Sequence, residues 1–229
     1  MRHLKPTAAA AVLALTLAAA PAAADEVSFV FTDTPYLSEA DIPAGFYAGG
    51  SPTVLENFED GVLDASLRAN PGLSIIAPGG VTDSVDGDDG VIDGSGAGGR
   101  SIFGGAMRFD FVGTGPLPTA FGLVWTDHGG PVNATFSAFD AGGNSLGSIV
   151  RRVGDNTFSS TTAEDRFFGV QFAGGISAIA ITSAGGAQEV DHVQWGFATA
   201  PVPEPHTWAL MLAGLPGLAA VARRRQRRA

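Results

Sequence analysis

The alternation of apolar and polar residues through the middle of the chain predicts short β-strands. Over residues 107–111 two phenylalanines and a methionine alternate with Arg108 and Asp110, so one face of the strand is apolar and the other carries a charged pair. Comparable runs rich in Val, Ile, Phe and Trp occupy residues 121–125, 132–139, 145–153, 167–172, 176–183 and 189–197. Residues 25–200 show no sustained helical period. The predicted fold class is therefore all-β, a single β-sandwich of jelly-roll-like type.

Clusters of Gly, Asp and Asn separate these runs and predict tight turns. They lie at residues 127–130, 140–144 and 173–175, where glycine and asparagine adopt positive φ at little cost. Residues 25–53 contain Pro35, Pro43 and Pro52 and predict an extended leader with one early strand at 27–32.

The two ends of the chain carry export signals. Arg2 and Lys5 precede an apolar run and then Ala22-Ala23-Ala24, which predicts a signal peptide at residues 1–24 that signal peptidase removes. At the other end, the apolar segment 208–222 would span only about 22 Å as a helix, against a bilayer core of about 30 Å. The arginines that follow this segment resist translocation. A short apolar helix followed by a basic tail therefore predicts a transient anchor in the inner membrane.

The C-terminal segment also carries a recognisable motif. Pro203-Glu204-Pro205, the apolar run and a basic tail at 223–228 that begins with Arg223, Arg224 and Arg225 resemble the PEP-CTERM sorting signal of Gram-negative bacteria. The resemblance implies that exosortase processes residues 201–229. It also implies that the exported part, residues 25–200, reaches the cell surface, the outer membrane or the extracellular space, in cells that make extracellular polysaccharide.

Charge narrows the range of partners. Between Asp25 and Glu204 the chain has six arginines and 23 acidic residues, a formal net charge of −17. Such a protein repels nucleic acid and anionic surfaces, which leaves cations or neutral sugars as small partners. The chain has no cysteine, so no disulfide stabilises it.

A glycine-rich acidic loop is the first candidate site. Glycines bend a loop so that side-chain and backbone oxygens can converge on calcium, which takes six to eight oxygen ligands. The loop lacks the ligand spacing of an EF-hand, and a solvated acidic loop is the alternative interpretation. The candidate calcium ligands, which follow Asp83, are Asp86, Asp88, Asp89 and Asp93.

A second calcium site rests on a further resemblance. Segments such as 55–61 and 162–170 resemble parts of exported PEP-CTERM proteins, and the layout is similar to that of jelly-roll carbohydrate-binding modules. In those modules an early acidic residue and a late aspartate share a structural calcium. The resemblance implies a corresponding site at Glu59, Asp60 and Asp191 in this chain.

Catalytic motifs are weak. Residues 143–147 fit G-x-S-x-G around Ser145, but they lie in a predicted hairpin, whereas a nucleophile elbow requires a strand–turn–helix. Only His128 and His192 lie outside the signals, too few for a His-rich zinc site. The sequence therefore predicts a non-catalytic surface or matrix protein that binds glycan or protein, with no ligand-binding residue indicated. A carbohydrate-binding module, or a surface hydrolase using Ser145 or a carboxylate pair, is the alternative.

Overall fold

Two antiparallel β-sheets form the described part of the chain, residues 26–79, 82–85, 99–156 and 162–199, in this computed structural model. The first strands are short: β1 Ser28–Phe31, β2 Val54–Glu56, β3 Leu67–Ala69, β4 Ser74–Ile76, β5 Ser101–Gly104 and β6 Met107–Phe111. The later ones are longer: β7 Ala120–Asp127, β8 Val132–Asp140, β9 Ser145–Val153, β10 Arg166–Gln171, β11 Ile176–Ser183 and β12 Gln188–Gly196. Two 3₁₀ turns lie at Glu39–Asp41 and Thr162–Glu164.

The strand order identifies the architecture. The larger sheet, sheet A, runs β1-β10-β7-β12-β5-β4, with β2 added beside β12, and the smaller, sheet B, runs β3-β6-β11-β8-β9. From β5 to β12 the chain passes between the sheets at every connection except the β8–β9 hairpin. Strand order β5-β12-β7-β10 facing β6-β11-β8-β9 is that of a jelly roll. The predicted all-β, jelly-roll-like sandwich is confirmed.

The main core lies between the sheets. On β7, Phe121, Leu123 and Trp125 point inward and are fully buried. They pack in one cluster with side chains of sheet B such as Phe109 and Phe136. Burial of each such side chain contributes about 1.5–3 kcal/mol, so the alternating pattern of these strands carries most of the stability.

The opposite face of sheet A, its outer face, is covered by the leader. Tyr36, Ile42, Phe46 and Tyr47 of the leader pack on the outward-facing side chains of β7 and β10 and form a second buried cluster. The predicted early strand exists as β1, which pairs with β10. The rest of the predicted extended leader forms a third layer over the sheet, and this layer encloses the acidic groups described below.

The predicted signals lie outside the described residues. These are the signal peptide at 1–24 and the sorting signal at 201–229 with its apolar helix 208–222. Among the residues that the structure describes, no helix has the length and apolar character needed to cross a membrane.

Candidate functional site

A cleft opens at one end of the strands of sheet A, where β7 ends and β12 begins. It has a volume of about 410 Å³. Phe103 of β5 lines it with a ring that is 41% exposed, and the other lining residues are Ile76, Asp127, His128, Gly129, Ala187, Gln188 and Glu189. The cleft thus combines an accessible aromatic ring with two carboxylates and an imidazole.

Hydrogen bonds fix the polar lining of the cleft. The Asp127 carboxylate accepts from the backbone N–H groups of His128 and Gly129, which closes the turn after β7. The Gln188 amide accepts from the Trp125 indole N–H at 3.1 Å and donates to the carbonyl of Ile181 at 3.0 Å. These bonds hold the polar groups in place before any ligand arrives.

Acidic groups lie side by side at this end of sheet A. Burial raises the pKa of the Glu164 carboxyl to about 7, and the charges of Asp127 and Asp155 add to the effect. Burial also raises the pKa of Glu189, against the lowering effect of its hydrogen bonds from Asp83 and Ser101, and Asp127 contributes a smaller rise. The charge of Asp127 thus contributes to the raised pKa of both carboxyl groups.

The segment 82–85 crosses the outer face of sheet A and is held by β12. The Asp83 N–H donates to Glu189 Oε2 at 2.8 Å, and the Val85 N–H donates to Asp191 Oδ2 at 2.8 Å. Thr126 of β7 donates its hydroxyl to the Asp83 carbonyl at 3.1 Å. Two buried carboxylates of β12 thus bind the backbone of this segment.

Three aspartates, Asp83, Asp165 and Asp191, form a buried acid cluster beneath this segment. Asp165 directly precedes β10 and Asp191 lies in β12, with β7 between them. Burial raises the pKa of Asp165 well above its usual value, and the charges of Asp83 and Asp191 raise it further. Both carboxylate oxygens of Asp165 are buried and accept no hydrogen bond from the described residues.

His192 lies beside this cluster because β12 is irregular there. The strand contains an extra residue between Asp191 and Gln194 relative to β7, and His192 has a positive φ of 45°. Its Nε2 lies 4.0 Å from Asp191 Oδ2, and its Nδ1 lies 3.4 Å from the Tyr36 hydroxyl. A β-bulge thus turns a histidine and a carboxylate toward the same covered face.

The predicted metal ligands divide between described and undescribed positions. The first set, Asp86, Asp88, Asp89 and Asp93, lies outside the described residues.

Of the second predicted set, Asp191 is buried, whereas Glu59 is half-buried and Asp60 is exposed. The Glu59 carboxylate accepts from the Arg100 N–H, and Asp60 accepts from the N–H of Val62 in its own turn. The structure describes no group of three or more His, Asp or Glu side chains already arranged as metal ligands in the ranges given above. Both calcium sites stay predictions.

Ser145 lies at the start of β9 in the hairpin that follows β8. Its hydroxyl accepts a hydrogen bond from the Gly147 N–H at 3.1 Å. The preceding turn is organised by the Asp140 carboxylate, which accepts from the N–H groups of Gly142 and Asn144. The motif at 143–147 is thus part of a strand–turn–strand in sheet B, whereas His192 belongs to sheet A.

Several residues of the site carry no motif. Asp127, Glu164 and Asp165 were not singled out from the sequence, although each stands next to a strongly apolar strand. A charged residue within or beside a buried run was the available signal, because such a residue is buried only with a partner or a function.

Comparison of the chain with solved structures gives distant similarities. No curated protein matches the chain in sequence. Solved structures with partial similarity include the enzymatically active domain of bacteriophage CBA120 tailspike protein 4, at 14% identity and TM-score 0.29, over 64% of this chain and 22% of that one. An exo-β-agarase is 10% identical at TM-score 0.29, over 67% of this chain and 26% of its own. The xylan-binding domain CBM22-1 of Paenibacillus barcinonensis Xyn10C is 10% identical at TM-score 0.25, over 63% of this chain and 96% of its own.

The C-terminal segment gives a specific match. Residues 201–228 match the PEP-CTERM protein-sorting motif, which confirms the resemblance found in the sequence. The motif marks proteins that are exported through the membrane, processed by exosortase, and anchored to or released at the cell surface. The chain is therefore an exported surface protein that carries a PEP-CTERM sorting motif at residues 201–228.

Proposed function

We propose that the exported jelly roll is a non-catalytic surface or matrix protein that binds neutral extracellular polysaccharide in the cleft beside Phe103. The exposed Phe103 ring, in a mainly apolar cleft that also contains the carboxyl groups of Asp127 and Glu189, is the observation that carries the proposal. An aromatic face packs against the C–H face of a sugar ring, and carboxylates accept hydrogen bonds from its hydroxyls. The cleft volume of about 410 Å³ falls within the range of small-ligand sites, about 300–1,000 Å³.

Charge supports a neutral ligand over an anionic one. Residues 25–204 carry a formal charge of −17, and Asp127 and Glu189 line the cleft itself. An anionic polysaccharide would be repelled by these charges, whereas a neutral polysaccharide experiences no such electrostatic repulsion.

The test is binding of the purified protein to insoluble neutral polysaccharides, with Phe103→Ala as the variant. Loss of one stacking contact is worth about 0.5–1.5 kcal/mol, so we expect affinity to fall about 2- to 10-fold. Val150→Ala is the matched control, because Val150 is also exposed, at 53%, but lies on β9 of sheet B. Equal retention of both variants would refute the role of the cleft.

A surface hydrolase is the second candidate. It is favoured by the neighbouring carboxyl groups of Glu164 and of Asp127, which lines the cleft. Glu164, with a pKa of about 7, neighbours Asp127, and a carboxyl group whose pKa lies near the working pH is suited to general acid–base catalysis. Release of reducing ends from the bound polysaccharide, abolished by Glu164→Gln, would favour the hydrolase. Release abolished by Ser145→Ala would assign the reaction to Ser145 instead.

A further inference from the structure

The buried acid cluster, formed by Asp83, Asp165 and Asp191, is a different set of residues from either predicted calcium site. Asp165 lies on the same face of sheet A as Phe167, two residues further on, and that face is the one covered by the leader. The Tyr36 N–H donates to the Asp165 carbonyl at 3.0 Å, so the leader closes directly over this aspartate. Asp191 approaches from the other side of β7, and Asp83 lies above Thr126 between them.

Asp165 needs a partner that no described protein group provides. Its exposed fraction is 0%, and neither carboxylate oxygen accepts a hydrogen bond from the described residues. The adjacent Arg166 donates to the backbone carbonyls of Ala163 and Asp165, at 3.0 and 2.8 Å, and forms no described ion pair with the Asp165 carboxylate. Burial of an ionised carboxylate without compensation is strongly unfavourable, so it must be neutralised by a proton or a cation.

Asp191 is already oriented toward the same space. Its Oδ2 accepts from the Ser84 hydroxyl at 3.0 Å and from the Val85 N–H at 2.8 Å, and its Oδ1 accepts from the His192 N–H at 2.6 Å. Oδ2 accepts two of these bonds and Oδ1 accepts one, and together they fix the orientation of the side chain. A carboxylate fixed in this way is a preorganised cation ligand.

We propose that Asp83, Asp165 and Asp191 bind one calcium ion between the outer face of sheet A and the segment 82–85. The donors are oxygens only, which suits a hard cation, and calcium accepts irregular sets of carboxylates, carbonyls and water better than magnesium does. Among the described residues, the three side chains are not grouped closely enough to hold a metal, so calcium binding requires them to move together. Calcium draws them together and so clamps β10 and β12 to the covering segment.

Calcium-dependent thermal unfolding of the purified protein at pH 7 tests the site. Ligand at a hundredfold excess over Kd stabilises enough to raise the Tm of a protein of this size by about 5–10 °C relative to EDTA. CaCl₂ at about 10 mM gives this excess at a Kd of about 10⁻⁴ M, the tight end of the range of about 10⁻⁴–10⁻³ M for extracellular calcium modules.

Three variants locate the ion. Asp165→Asn abolishes the calcium shift and, in EDTA, melts at or above the wild-type temperature, because it removes a buried charge. A variant that had merely damaged the fold would melt lower. Glu26→Gln, which removes an exposed charge beyond the opposite end of β10, keeps the full shift.

Asp88→Asn tests the rival site in the acidic loop and keeps the shift if the buried cluster binds the ion. The proposal is overturned if wild type shows no shift, or if Asp165→Asn retains it. A shift that only Asp88→Asn abolishes also overturns it and assigns the ion to the loop. The site stands apart from glycan binding, so a failure of either proposal leaves the other intact.

Discussion

At the scale of the residue, buried carboxyl groups are the most unusual feature of this protein. Glu164 has an exposed fraction of 2% and Asp165 of 0%, and they are consecutive in the chain. Glu164 Oε2 accepts from the Asp155 N–H at 2.9 Å, whereas Oε1 accepts no hydrogen bond from the described residues. Such a group is more stable protonated, which is why burial and its acidic neighbours raise its pKa to about 7.

Replacing Glu164 by Gln tests this directly. A carboxyl whose pKa is raised from 4.5 to about 7 on folding gives stability that is complete below pH 4.5 and is lost as the pH rises through 7. Glutamine resembles the protonated form. We therefore expect Glu164→Gln to be about 2–3 kcal/mol more stable than wild type at pH 8 and equal to it near pH 4.5.

Urea unfolding across this pH range measures the difference between the two proteins. Glu26→Gln, at an exposed position, serves as the control and should match wild type at every pH. A Glu164→Gln advantage that does not change with pH would contradict the raised pKa.

At the scale of the element, the leader is the segment that makes the covered face possible. Its Phe46 ring packs over Gly169 of β10, which is paired in register with Gly122 of β7. A Cβ at Gly169 would lie 2.5 Å from the Phe46 ring and 2.9 Å from the Phe167 ring. Gly169 thus forms a groove that accepts the leader's aromatic side chain, and Gly122 leaves room for the Phe167 ring beside it.

Gly169→Ala should therefore displace the leader. Overpacking of this kind destabilises by about 1–3 kcal/mol, and we expect protease cleavage within residues 33–50 to become faster. Gly105→Ala is the matched control, because its new Cβ meets nothing within 4 Å and its φ is not positive. Equal protease resistance of the two variants would show that the leader does not depend on this groove.

The same elements show what the sequence could and could not predict. Residues 145–153 and 176–183 coincide with β9 and β11, because eight or nine residues suffice for the pattern to emerge. The strands β2, β3 and β4 were not predicted, since three residues hold no period, and four-residue β5 was missed as well. The leader's packing was also missed, because a segment without strand pairing has no alternation to detect.

The candidate site shows a similar division. The sequence predicted that carboxylates form the site, and Asp191 was among the predicted ligands. However, the acidic residues were grouped either because they are close in the chain or because of a resemblance to other proteins. Asp83, Asp165 and Asp191 meet only because β10, β7 and β12 are neighbours in sheet A. Their common environment is a product of topology, and no local spacing could reveal it.

At the scale of the whole molecule, electrostatic repulsion opposes the fold. Residues 25–204 contain six arginines and 23 acidic residues. The described ion pairs of two of these arginines converge on one acid, Asp110. The Arg108 Nε lies 2.9 Å from Asp110 Oδ1, and the Arg68 guanidinium lies 3.3 Å from Oδ2. Most carboxylates therefore repel one another across the surface, and this repulsion is weaker in the expanded unfolded chain.

Stability at pH 7.5 in EDTA should consequently rise with salt. The screening length falls from about 30 Å at 0.01 M to about 8 Å at 0.15 M ionic strength. At the higher salt concentration, the repulsion between most of these carboxylates is therefore screened. We expect the Tm to increase by about 2–5 °C over this range of NaCl, with less change at pH 5, where the carboxyls with raised pKa are protonated. A Tm that stays level or falls with salt would mean that the arginines compensate the acids. Calcium chloride at matched ionic strength should exceed NaCl in effect, because site binding at the buried acid cluster adds to screening.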